Sequence, residues 1–164
     1  MGSMLLANGA TMGNIFALVG AALAVIMTGI GSAVGMAWVQ QAAAGVISEQ
    51  PQKYGKLLIL QLIPSSNALY GFVVGFLIVN NVVLGGGNYG NIEGLMVLAL
   101  CLPIAIAGLV AALGQAKVCV AGVRMVGKRD ELSGRALTMG VFIELFALFA
   151  LIVSVLGVLQ VPML

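Results

Sequence analysis

A single carboxylate, Glu144, lies in the run Gly140–Leu159, which carries no other charge and is otherwise almost wholly apolar. An ionisable group surrounded by hydrocarbon is costly and marks a functional position by default. Other polar groups fall at its depth. The turn between the third and fourth apolar blocks centres near Arg129 and Asp130. Counting back from it reaches Gln115, and counting forward the same distance reaches Glu144. In the second block Ser65, Ser66 and Asn67 sit at the equivalent depth, and Ile63, Ser66, Asn67 and Tyr70 follow i, i+3, i+4, i+7 along one helical stripe. Pro64 lacks an N–H and disturbs the preceding turn, which loosens backbone carbonyls beside that stripe. One carboxylate with amide, hydroxyl and carbonyl oxygens suits a dehydrated monovalent cation, since sodium plus Glu144 is neutral. A divalent ion would leave net charge in the membrane. Each partner also has a plainer role: Gln115 can bridge helices, and Ser66 can bond its own helix backbone. A proton would need only Glu144.

The elements that position these groups are readable from composition. The chain has 164 residues, 62% hydrophobic and 7% charged, against about 25% charged in an ordinary soluble domain. Four apolar blocks, roughly 14–47, 54–83, 94–127 and 133–161, each exceed the ~20 residues that cross a bilayer as helix. They are too long and too continuous for barrel strands. The expected architecture is an all-α membrane protein with four transmembrane helices. Residues 1–13 form a short N-terminal segment, 14–83 a first hairpin, 84–93 an extracytoplasmic loop and 94–161 a second hairpin bearing the carboxylate. The first block is too long for a signal peptide and lacks a charged leader. Met1–Ser3, ahead of Met4, reads as an added expression remnant.

All seven Lys and Arg residues flank the 1–2 turn or the 3–4 turn. Basic residues mark the cytoplasmic side, so both turns should be cytoplasmic, with both termini and the 2–3 loop outside. Lys117 lies deeper than the rest, which a projecting helix or a snorkelling side chain accommodates. The chain has no histidine and two cysteines. Cys101 and Cys119 lie about 27 Å apart along one helix, too far for a disulfide.

The chain repeats. A shift of 79 residues, without a gap, places Gly29 on Gly108, Ala33 on Ala112, Gly35 on Gly114, Ala37 on Ala116, Gly55 on Gly134 and Lys56 on Arg135. The two hairpins are thus fused in the same orientation, unlike the inverted repeats of many transporters. Glu144 falls on Ser65, so only one hairpin has the carboxylate. Small stripes (Ala17, Ala21, Ala24, Thr28, Gly31, Gly35 in helix 1; Ala105, Gly108, Ala112, Ala116, Cys119 in helix 3) predict close packing of those two helices, with helices 2 and 4 outside them.

The stretches "LILQLIPSSNALYGFVVGFLIVNN", "GQAKVCVAG" and "FIELFALFALIVSVL" resemble the proteolipid (K or c) subunit of V-type and A-type rotary ATPases, most of all the bacterial sodium-pumping members, from about Gly13 to Leu159. The resemblance implies a rotor ring of identical subunits in a bacterial cell membrane, with odd helices inside and even helices outside. The ring turns against a stator subunit with an essential arginine, is driven through central-stalk subunits by a V1 head, and stands in lipid. No nucleic-acid partner is expected. The chain itself would hold no catalytic site. The resemblance also implies a sodium site of Glu144, Gln115, Ser66, Asn67 and the Ile63 carbonyl, with Tyr70 bonding the carboxylate. Ser66 stands where sodium members often have threonine, and Asn67, one methylene shorter, where they often have glutamine. One carboxylate per two hairpins lowers the ion-to-ATP ratio and favours pumping over synthesis. Alternatives are a proton-carrying ring of the same family, a small four-helix ion-coupled multidrug antiporter, and a structural pore or fusion protein. Against the antiporter stand the parallel repeat, the long helices and the lack of an aromatic cage. Against a pore stands the clustering of polar residues at one depth.

Overall fold

A computed structural model describes residues 12–163; Met1–Ser3 and most of the N-terminal segment lie outside the described residues. Four long helices cross the fold: α1 (Met12–Glu49), α2 (Pro51–Leu84), α3 (Asn91–Lys128) and α4 (Asp130–Gln160). No strand occurs among the described residues. With 38 residues, α1 and α3 are each about 57 Å long, against a hydrocarbon core of about 30 Å. Their ends must project from the membrane, which accommodates the depth of Lys117.

The repeat is visible in the backbone. The α1–α2 turn breaks at Gln50 (φ −136°, ψ 72°) and the α3–α4 turn at Arg129 (φ −139°, ψ 105°), positions that coincide under the shift of 79 residues. One non-helical residue suffices to reverse the chain, and Pro51 then opens α2 with its ring where no N–H is required. The hairpins are joined by residues 85–90. There Gly86 takes φ +66°, a left-handed conformation that glycine adopts without Cβ strain. α2 is not uniform: it tightens to a 3-10 turn at Ile63–Ser65 and widens to a π turn at Asn80–Leu84. Pro64 lies inside the first of these.

α1 and α3 share the most extensive helix contact in the fold. Every residue of both predicted small stripes is buried. A Cβ at Gly31 would lie 2.9 Å from the Leu109 carbonyl oxygen and 3.0 Å from its Cα, so here backbone packs directly on backbone. Thr28 fills the crossing and returns its hydroxyl to the Ala24 carbonyl at 2.8 Å. α2 packs on α1 and α4 on α3. Their other faces are bulky, apolar and exposed, including Phe72, Phe76, Phe142, Phe146 and Phe149, as expected of surfaces whose solvent is lipid. Cys101 and Cys119 are separate, buried thiols.

Candidate ion-binding site

The candidate side chains lie where α2, α3 and α4 meet. α2 contributes the segment around its proline. Tightening at Ile63–Ser65 turns Ser66 and Asn67 toward the seam, and Asn67 is fully buried. α3 contributes Gln115, also fully buried. α4 contributes Glu144, half-buried at the edge between seam and lipid face.

Hydrogen bonds link these side chains in two groups. Asn67 Nδ2 donates to Gln115 Oε1 at 2.9 Å. Gln115 Nε2 in turn donates to the Gly140 carbonyl at 3.2 Å, one turn before Glu144 on α4. The Tyr70 hydroxyl donates to Glu144 Oε1. Asn67 Oδ1 is buried and has no hydrogen-bond partner. Such an orphaned acceptor is uncommon in a native interior and leaves room for a water or an ion to bond it.

Two predicted residues are arranged differently. Ser66 Oγ donates to the Ile63 carbonyl at 2.9 Å, and the Ser66 backbone N–H bonds the same oxygen. Both lone pairs of that carbonyl are engaged here, although the Ser66 hydroxyl keeps its own acceptor capacity. Ser65, the repeat partner of Glu144, bonds its own helix at the Leu62 carbonyl.

Other features were not foreseen from sequence. The Gly140 carbonyl was missed because its role depends only on backbone position. Gln61 lies one helical turn from Ser65 and has a buried Nε2 without a partner; an amide in an apolar run was the available signal. Away from the site, Lys53 is buried, and its ammonium donates to the Val126 and Gly127 carbonyls at 3.0 and 2.8 Å. It thus caps the C-terminus of α3, where the helix dipole favours a cation. Lys56 pairs with Asp130 beside it. At the opposite end Asn14 Nδ2 donates to Asn88 Oδ1 at 2.9 Å, and the Tyr89 N–H donates to Asn14 Oδ1 at 2.8 Å.

Four apolar membrane helices in two like-oriented hairpins, with one carboxylate at mid-length bonded by a tyrosine hydroxyl one turn from a buried amide pair, define a membrane proteolipid. The family of the ATP synthase C subunit matches twice, over residues 19–78 and 98–156, one match per hairpin. The V-type sodium ATPase subunit K of Enterococcus hirae is 38% identical over 148 residues, covering 90% of this chain and 93% of the relative. The A-type ATP synthase subunit K of Methanocaldococcus jannaschii is 32% identical over 87% of this chain and 61% of its own length. The 16 kDa proteolipid of the V-type proton ATPase of Bos taurus is 28% identical over 91% of this chain and 94% of the relative. The chain therefore belongs to the ATP synthase C subunit family, as a V-type rotary ATPase proteolipid, and members of this family form membrane rings.

Proposed function

We propose that the chain carries sodium through the membrane as the rotor subunit of a V-type rotary ATPase, holding one ion at Glu144 in each copy. The observation that carries this reading is the Asn67 amide: its Nδ2 is committed to Gln115, and its buried Oδ1 is left without a partner. A cation bound beside Glu144 would satisfy that oxygen, with Gln115 Oε1 and Ser66 Oγ as further ligands. The Ile63 carbonyl joins them when the Ser66 hydroxyl turns away. Tyr70 fixes the carboxylate by its hydrogen bond. The 38% identical relative, named as a sodium ATPase subunit, supports the same ion.

The physics of transport follows from the position of Glu144 at the lipid edge. A loaded site is neutral and can face hydrocarbon; an empty one is anionic and cannot. Rotation past a stator arginine would release the ion by offering the carboxylate another positive partner. Release and reloading on opposite sides make rotation directional. ATP hydrolysis in a V1 head would supply the torque through the central stalk. In this reading both short turns, with their basic residues, face the cytoplasm, and the 85–90 segment faces outside.

Carbodiimide labelling of Glu144 in the isolated ring tests the ion, because the reagent attacks the protonated acid. Sodium should protect Glu144, increasingly so from about pH 6 to about pH 8 as proton competition falls. Absence of protection by millimolar sodium throughout that range rejects the sodium reading. A proton ring then takes its place, a reading favoured by the closed Ile63–Ser66 pair and by the proton-ATPase relatives.

A further inference from the structure

Gly140 lies on α4 one turn before Glu144 and is buried. In an α-helix its carbonyl accepts the Glu144 backbone N–H. The same oxygen accepts the Gln115 amide of α3 at 3.2 Å. A carbonyl oxygen has two lone pairs and no proton to give, so both are taken by donors here.

That one-way chemistry passes along the side chains. An acceptor at Gly140 requires Gln115 to turn Nε2 toward α4, which leaves Oε1 facing α2. Oε1 in turn requires a donor, and Asn67 supplies Nδ2 at 2.9 Å. Asn67 then has Oδ1 left for its other side, and that oxygen is buried without a partner. Reversing Asn67 would set Oδ1 against Oε1, and reversing Gln115 would set Oε1 against the Gly140 oxygen. One backbone oxygen thus decides that the chain of amides ends in an acceptor, the kind of atom a cation needs.

The approach of that oxygen depends on glycine. A Cβ at Gly140 would lie 3.1 Å from Cys119 Sγ, and 3.6 and 3.9 Å from Ile63 Cδ1 and Cγ2. The first distance is tighter than ordinary van der Waals contact, and the other two are not. Cys119 is fully buried and stands one turn past Gln115 on α3. A methyl group would therefore press α4 away from α3 beside the Gln115 bond, which is already at the long end of its range. Under the shift of 79 residues Gly140 falls on Gln61, Gln115 on Met36 and Glu144 on Ser65. The hairpin without the carboxylate thus lacks the glycine and the amide as well.

We propose that Gly140 is a positioning residue of the ion site. It touches no ion. Its fit against Cys119 brings one backbone oxygen to Gln115, and that oxygen polarises the Gln115–Asn67 pair so that Asn67 Oδ1 is offered to the cation. The proposal rests on the sodium reading and deepens it by naming what orients the ligands.

The test is Gly140→Ala in assembled rings, alone and together with Cys119→Ala, which removes the sulfur that the new methyl group would strike. The sodium concentration that half-protects Glu144 from carbodiimide should rise about tenfold in the single variant, the scale of one lost buried hydrogen bond. It should return to within about twofold of the parent in the double variant, and Cys119→Ala alone should match the parent. In rings carrying isotope-labelled glutamine, the Gln115 side-chain N–H resonances should move toward unbonded values in the single variant and return in the double. Single-variant rings that bind sodium like the parent overturn the proposal. So do double-variant rings that stay weak, or whose Gln115 resonances stay displaced. If the parent gains no protection from sodium, the sodium reading fails instead, and the Gln115 resonances, which need no ion, decide the positioning role. Should Gly140→Ala alone form no rings, the double variant decides. Parental protection with parental Gln115 resonances supports the fit against Cys119, and absent rings or weakened protection refute it.

Discussion

Replacing Gln115 by alanine separates a cation site from a proton site. The side chain is fully buried and holds two hydrogen bonds, one from Asn67 and one to the Gly140 carbonyl. Truncation removes Oε1 as an ion ligand. It also frees the Asn67 amide, so the orientation of Asn67 Oδ1 toward the site is no longer fixed. Losing a buried polar partner costs about 1–3 kcal/mol, and each ~1.4 kcal/mol is tenfold in affinity. One lost ligand therefore weakens sodium binding roughly tenfold to a hundredfold, with the disordering of Asn67 pushing toward the upper end. The assay is the sodium concentration that half-protects Glu144 from carbodiimide at fixed pH, in purified variant and parent rings. The carboxylate should still label in the absence of sodium, because Tyr70 and Glu144 are untouched. A half-protecting concentration within about twofold of the parent would refute the assignment of Gln115 as a ligand.

Glu144→Gln should preserve ring assembly and abolish ion-coupled turnover, since a neutral amide leaves no charge to load or release; normal transport in reconstituted vesicles would contradict this. Gly31→Leu should prevent native rings on a native gel, because even its Cβ would lie 2.9 Å from a backbone oxygen of α3; rings of parental size would count against the close α1–α3 packing. Lys53→Met should destabilise the turn end by about 1–3 kcal/mol, the scale of charge-assisted bonds and helix-end charges. Faster hydrogen exchange over residues 50–56 and 126–132 reports that loss, and unchanged exchange excludes the cap as a stabilising contact. Cysteines placed at Gln52 and Glu131 should react with an impermeant thiol reagent from the cytoplasmic side only, and one at Asn88 from the outside only; the reverse pattern would invert the orientation.

The four helices were legible because their apolar lengths exceed the bilayer and the basic residues gather toward two of their turns. The α1–α3 packing was legible because its stripes hold nothing larger than Thr28 or Cys119. Glu144, Gln115, Asn67 and Tyr70 could be brought together on paper because equal counting from a turn fixes depth, and the structure bonds them as two pairs, Asn67 with Gln115 and Tyr70 with Glu144. Depth does not fix what a polar atom touches. The engagement of the Ile63 carbonyl by Ser66 depends on the 3-10 geometry around Pro64, which the proline announces without specifying. Lys53 read simply as one charge among several near a turn. Its reach to the end of α3 depends on how two hairpins lie side by side, and no periodicity records that.

That lysine has a mechanical consequence. The hairpins are covalently connected at one end only, through residues 85–90. At the far end α2 begins and α3 finishes on separate turns, so only non-covalent contacts hold the hairpins together there. Lys53 on the Val126 and Gly127 carbonyls, with the Lys56–Asp130 pair beside it, ties the free ends as well. The chain then bends as a doubly clamped frame, with the Asn67–Gln115 bond crossing its middle. A sideways load at the turn end is then shared by both hairpins.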